Sequence, residues 1–159
     1  MKVNYNNKYI TNNEYLKVRE TQNKPQIIFN NTSFKKILIM YDPDAYGGTH
    51  IHWSVSDIMD DLDKGNTLIP YKGPAPPPKT GKHRYIFELY KQNLPNHIQI
   101  TERVMPIEKL RAMLALDKPI ENIQFISQNE SGGRRRKTKK RKQRHTFRKN
   151  KITKRNNKN

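Results

Sequence analysis

Three short segments collect the side chains able to do chemistry: Asp42-Pro43-Asp44, His50-Ile51-His52-Trp53 and Gly81-Lys82-His83-Arg84-Tyr85. Imidazoles and carboxylates a few residues apart serve proton transfer, metal binding or anion recognition, and each use needs its own arrangement. The chain holds no cysteine, which excludes disulfides, thiolate nucleophiles, cysteine zinc sites and iron–sulfur clusters together. A metal site built from Asp42, His50, His52 and His83 has no spacing that forces tetrahedral geometry. Pairing Ser54 with His52 for nucleophilic catalysis lacks a third orienting group at a recognisable spacing. The same residues also suit an anion receptor, in which imidazole and loop N–H groups donate to phosphate oxygens while Asp42 orients an imidazole or accepts an ammonium. A plainer reading stands beside it. His50 and His52 also read as half-buried strand histidines, and Asp42-Pro43-Asp44 as an Asx-Pro turn closing a strand. No enzyme activity, cofactor or metal is expected.

These segments punctuate strand ends. Residues 35–42 (KKILIMYD) form a continuous β-prone apolar run of strand length, which predicts a central strand buried on both faces. In residues 49–58, Ile51, Trp53 and Val55 alternate with His50, His52, Ser54 and Ser56, which places both imidazoles on one strand face and the core on the other. Residues 84–90 alternate again, with Tyr85, Phe87 and Leu89 opposite Arg84, Ile86 and Glu88. Residues 26–29 and 120–127 read as weaker strands. One short helix is expected after Pro106, with Ile107, Leu110 and Met113 or Leu114 on its apolar side. Pro74, Pro76, Pro77, Pro78 and Gly81 favour extended connections over crossover helices. The expected fold is a mainly β, antiparallel β-sandwich with one or two short helices. Trp53 and Tyr71 are assigned to its core.

Charge divides the chain in two. The 159 residues carry 32 Lys/Arg and 14 Asp/Glu, yet residues 134–159 alone hold 15 Lys/Arg and no acid. A domain over 1–133 followed by a disordered basic tail over 134–159 is the expectation. Arg134, Arg135, Arg136, Lys137, Lys139, Lys140, Arg141 and Lys142 open that tail as a polyanion-binding run. It suits nonspecific nucleic acid, an anionic membrane surface or a nuclear-import signal. The Asn- and Lys-rich composition suggests an A·T-rich genome such as that of a large DNA virus. No stretch approaches the ~18 apolar residues of a membrane span, so an intracellular, cytoplasmic protein is expected, with nuclear or virion association through the tail.

The motifs DPDAY, HIHW, YKGPAPP and TGKHRYIFELY, in that order, resemble those of the phosphatidylethanolamine-binding protein (Raf kinase inhibitor protein) family. Residues 3–25 and 119–136 are similar to plant members of the flowering locus T and terminal flower type. The resemblance implies a central antiparallel sheet flanked by a smaller one, with an anion pocket lined by Asp42, His52, His83 and Tyr85. It implies rim or supporting roles for Asp44, Tyr46, His50, Pro74 and Arg84, with Asp44 and Arg84 bracing loops. Family members usually read DPDAP where this chain has Tyr46, and the loop before HIHW is cut to Gly47-Gly48-Thr49. The C-terminal helix of animal members is replaced by the basic tail. The implied function is a non-catalytic receptor for phosphate or phospholipid head groups that modulates a signalling partner. The alternative is a nucleic-acid-associated or packaging protein acting through its tail.

Overall fold

The structure, a computed structural model, describes residues 1–93 and 100–130. The tail assigned to 134–159 lies outside them. The chain forms β1 (Lys2–Tyr5), β2 (Lys8–Tyr9), β3 (Glu14–Tyr15), β4 (Gln26–Ile28), β5 (Lys36–Asp42), β6 (His50–Ile58), β7 (Asn66–Ile69), β8 (Lys82–Lys91), α1 (Ile107–Met113) and β9 (Glu121–Gln128). They build a six-stranded sheet in the order β3-β9-β8-β5-β6-β7 and a three-stranded sheet in the order β2-β1-β4. Pairing is antiparallel except at the edge, where β3 runs parallel to β9.

The apolar run of β5 takes the centre because it can be buried on both sides, and all seven of its residues are buried. One face carries Leu38 and Met40 with Trp53, Val55, Tyr85, Phe87 and Phe125, and the small sheet closes over it through Val3, Tyr5 and Ile27. The other face carries Ile37, Ile39, Tyr41 and Ile51, covered by Ile107, Leu110 and Leu114 of the helical segment. Glu88 ties that segment down: its carboxylate accepts from Arg111 Nη2 at 2.9 and 2.8 Å and from the Tyr41 and Tyr90 hydroxyls.

Residues 49–58 depart from the expected alternation. Met40 pairs with Trp53 but Tyr41 pairs with Ile51, so His52 is the extra residue of a β-bulge. The slip sends Ile51 and Trp53 to opposite faces, and Trp53 to the side that carries His52. Ser54, opposite Ile39, faces the helix-covered side. Ser54 and His52 therefore do not share a face. Met113 is exposed, and Leu114 is the residue that packs.

Candidate functional site

A cavity of about 170 Å³ opens where β5 ends and β6 and β8 begin. Asp42, Tyr46, His50, His52, His83 and Tyr85 line it, joined by Ala45, Lys72, Ala75 and Pro77. Register explains the convergence: Asp42 pairs with His50 across β5 and β6, while β8 brings His83 and Tyr85 alongside from the other flank. The bulge adds His52, whose ring lies 4.7 Å from that of His50 and edge-on to Tyr85 at 5.1 Å. Tyr85 in turn stacks on Phe125 at 5.1 Å, which anchors it to the core.

Hydrogen bonds fix the protons of this site. His52 Nδ1 lies 2.7 Å from the Lys72 carbonyl. A carbonyl only accepts, so Nδ1 carries the hydrogen. Burial then pushes the His52 pKa down to about 4, with nearby His50, Lys72 and Arg103 adding to the effect against the raising influence of its backbone hydrogen bond. The ring is neutral at physiological pH, with a lone pair on Nε2. His50 is lowered as well, by burial and then by the cations Lys72 and Arg103.

His83 is more constrained. Its Nδ1 lies 2.7 Å from Asp42 Oδ2 and its Nε2 2.7 Å from Thr80 Oγ1. Asp42 Oδ1 accepts the Asp44 backbone N–H at 2.8 Å, so both its oxygens are also engaged. Asp44 accepts from Arg84 three times, from the backbone N and Nε at 2.9 Å and from Nη2 at 2.8 Å. That fork holds the Asp44 carboxyl below the usual carboxylate range. Asp44 and Arg84 brace the loop and do not line the cavity.

His50 Nε2 and Tyr85 Oη, two buried polar atoms of the cavity wall, make no hydrogen bond of ordinary geometry, as is true of Ser54 Oγ and Ser127 Oγ elsewhere, although the Asp42 carboxylate and the Ala75 backbone lie close enough to the Tyr85 hydroxyl to act on it. Burial pushes the Tyr85 hydroxyl well above its ordinary pKa, with the Asp42 carboxylate adding to the shift, so it is an O–H donor at any physiological pH. Arg103 contributes charge from behind: its guanidinium donates to the carbonyls of Ile51, His52 and Pro70 at 3.2, 3.3 and 2.8 Å.

The residues singled out from the sequence thus separate by role. Asp42, His52, His83, Tyr85, Tyr46 and His50 share one cavity. Pro74 does not line it. That buried proline accepts a hydrogen bond from Gln22 at 2.9 Å through its carbonyl and sets up its neighbours Ala75 and Pro77, which do line it. Asp42 holds an imidazole, that of His83, whose two ring nitrogens are taken up by Asp42 and Thr80, while the Nδ1–H of His52 is taken up by the Lys72 carbonyl. Tyr71 and Trp53 belong to the core, in edge contact at 5.5 Å, with Tyr71 Oη donating to the Thr21 carbonyl. The sequence reading missed Lys72 and Arg103; Lys72 was within sight, inside the motif YKGPAPP. Among the described residues no group of His, Asp and Glu is placed to hold a metal ion.

Comparison with known proteins identifies the family and the fold. Residues 6–122 match the family model "Phosphatidylethanolamine-binding protein". The chain is 27% identical to Protein TERMINAL FLOWER 1 of Arabidopsis thaliana over 86% of this chain and 83% of that one. It is 29% identical to Protein SELF-PRUNING of Solanum lycopersicum, covering 82% and 81%. Among solved structures, it is similar to a phosphatidylethanolamine-binding protein from Plasmodium vivax, with a TM-score of 0.66 at 21% identity over 81% and 84% of the two chains. The match over residues 6–122 covers most of the chain and supports a binding or regulatory role: the chain belongs to the phosphatidylethanolamine-binding protein family.

Proposed function

We propose that the protein is a non-catalytic receptor for a small phosphate-bearing ligand of the phospholipid head-group class, and that occupancy modulates a protein partner. The observation that carries the reading is the pair of buried polar atoms without a hydrogen bond of ordinary geometry, Tyr85 Oη and His50 Nε2, in one cavity wall. Buried polar groups are nearly always satisfied, so two such atoms converging on one cavity support a polar ligand there. An oxyanion completes both: Tyr85 donates its O–H, and His50 donates once Nε2 is protonated. Lys72 and Arg103 supply positive charge, and the cavity has room for a phosphoryl group and a short substituent.

Proton uptake accompanies binding in this account. A neutral His52 offers the anion a lone pair, which repels it. Protonating Nε2 converts that repulsion into a charge-assisted hydrogen bond, so an anion raises the His52 pKa from about 4 and binds more tightly as pH falls. The test is a thermal-shift titration of the full chain with phosphoethanolamine and with sulfate, whose charge stays constant over the range used. Wild type should rise in midpoint and Tyr85→Phe should rise much less. Equal rises in the two proteins would remove Tyr85 from the site.

A further inference from the structure

A second cavity, of about 290 Å³, shares no lining residue with the first. It forms where the N-terminal chain changes sheets: β1 and β2 belong to the small sheet, β3 joins the edge of the large one, and the crossing at residues 10–13 leaves a gap between them. Ile10, Leu16 and the ring of Tyr5 are buried around this gap, and Tyr15 adds a ring that is 46% exposed. Tyr5 Oη donates to Tyr71 Oη at 3.0 Å, because Tyr71 spends its own hydrogen on the Thr21 carbonyl. The floor therefore holds no spare donor and is apolar in character.

The walls are held from both sides. Glu14 accepts from Lys8 Nζ and from Thr11, through its N–H at 2.9 Å and its hydroxyl at 3.2 Å, which closes the crossing on itself. Asn6 Nδ2 donates to the Glu20 carbonyl at 2.8 Å and ties the β1–β2 turn to the 3-10 turn at Val18–Glu20. Lys8 is thereby neutralised, and two rim charges remain. The Lys17 ammonium is exposed and makes no ion pair among the described residues. Glu20, half-buried, gives Oε2 to the Lys17 backbone N–H at 2.7 Å, while its Oε1 has no partner among them.

We infer that this second cavity is a site for a free apolar α-amino acid, whose side chain fills the floor of Tyr5, Ile10 and Leu16 while its carboxylate meets Lys17 and its ammonium meets Glu20. A concave, mostly apolar lining with a few placed polar groups is the ordinary form of a small-molecule site. Here the polar groups are one cation and one carboxylate oxygen, the complement of a zwitterion. A hydrocarbon would leave both unused, a phosphate monoester would face Glu20, and the interior of a peptide carries neither charge. Because the two rim groups stand partly in water, each ion pair adds only a few-fold to affinity, and the buried side chain supplies most of it. The inference stands apart from the oxyanion reading, since the two cavities have no residue in common.

The test follows the methyl resonances of Ile10 and Leu16 in the full chain during titration with L-phenylalanine up to about 10 mM. The expected result is a saturable shift at both residues, unchanged by sulfate at constant ionic strength. L-alanine should bind at least about tenfold more weakly. 3-Phenylpropanoate, which lacks the ammonium, and phenethylamine, which lacks the carboxylate, should each bind about threefold more weakly than L-phenylalanine. Lys17→Gln should erase the preference over phenethylamine, and Glu20→Gln the preference over 3-phenylpropanoate. Glutamine at position 20 keeps an acceptor for the Lys17 N–H, so both variants should melt with wild type. Three results would overturn the inference: methyls of the folded protein that do not move, a shift that sulfate abolishes, or equal affinity of wild type for all three aromatic ligands.

Discussion

The Tyr85 hydroxyl is buried beside the Asp42 carboxylate and the Ala75 backbone without a hydrogen bond of ordinary geometry to either, and removing a poorly satisfied buried group usually costs little or stabilises. Tyr85→Phe should therefore leave the unliganded midpoint unchanged or raise stability by up to about 1 kcal/mol, while the rise produced by sulfate collapses. A core tyrosine without a ligand role would show the first effect and not the second. His52 gives a pH signature of opposite kind. Its folded pKa of about 4 lies below the unfolded value of 6.5, so the unfolded chain binds the extra proton between them. Stability is full above about pH 6.5 and is lost as pH falls toward 4, by roughly 3 kcal/mol from this residue. Chemical denaturation across that window should show the slope in wild type and a flatter one in His52→Gln. Saturating sulfate should reduce the slope as well, because the anion stabilises the charged ring.

The elements that hold these residues differ in how plainly the sequence announces them. β5, β6, β8 and α1 follow from a long apolar run, alternation and a proline start, β4 and β9 carry only a weak strand pattern, and β5 is central as its continuous run requires. β1, β2, β3 and β7 have four residues or fewer, too short to establish a period. A signal for β1–β2 was nevertheless present: Asn6 and Asn7, at φ 52° and 66°, make the two-residue turn of a type I′ hairpin, a conformation asparagine tolerates. The bulge at His52 was not legible, because the slip arises between two strands and not within one. Nor was the Lys72 anchor, since a backbone carbonyl holds His52 and any residue supplies one. The loop bearing Lys72 is packed tightly at Gly73, where an added Cβ would sit 2.9 Å from Gln22 Cα and 3.0 Å from the Thr21 carbonyl. Gly73→Ala should push that loop outward, weaken sulfate binding several-fold and destabilise by about 1–3 kcal/mol. On the helix-covered face, Glu88→Ala should cost about 3 kcal/mol by stranding Arg111 and two tyrosine hydroxyls. At a temperature where it remains folded, its sulfate affinity should match wild type, since Glu88 does not line the cavity.

For the whole molecule, the two-sheet body acts as a rigid frame whose one end concentrates function: three strand termini, a proline-braced loop and the exit toward the basic segment meet around one cavity. The formal charge of +18 is mostly the property of residues 134–159 and says little about the body, which has 17 basic against 14 acidic residues over 1–133. Salt should accordingly affect the two parts unequally. Contacts of the basic residues 134–159 with polyanions would be screened within about 8–10 Å at physiological ionic strength, whereas a ligand held against the buried side chains of the cavity is screened less. Raising salt with chloride should strip the chain from polyanions well before it removes a ligand from the cavity. The central claim, that the cavity binds an oxyanion through Tyr85 with proton uptake at the histidines, is tested most directly by calorimetric titration of the full chain with sulfate in buffers of different ionisation enthalpy, near pH 7 and near pH 6. The account predicts tighter binding at the lower pH, net proton uptake on binding and loss of most of the affinity in Tyr85→Phe. Affinity independent of pH, with no proton taken up and Tyr85→Phe binding as wild type, would contradict it.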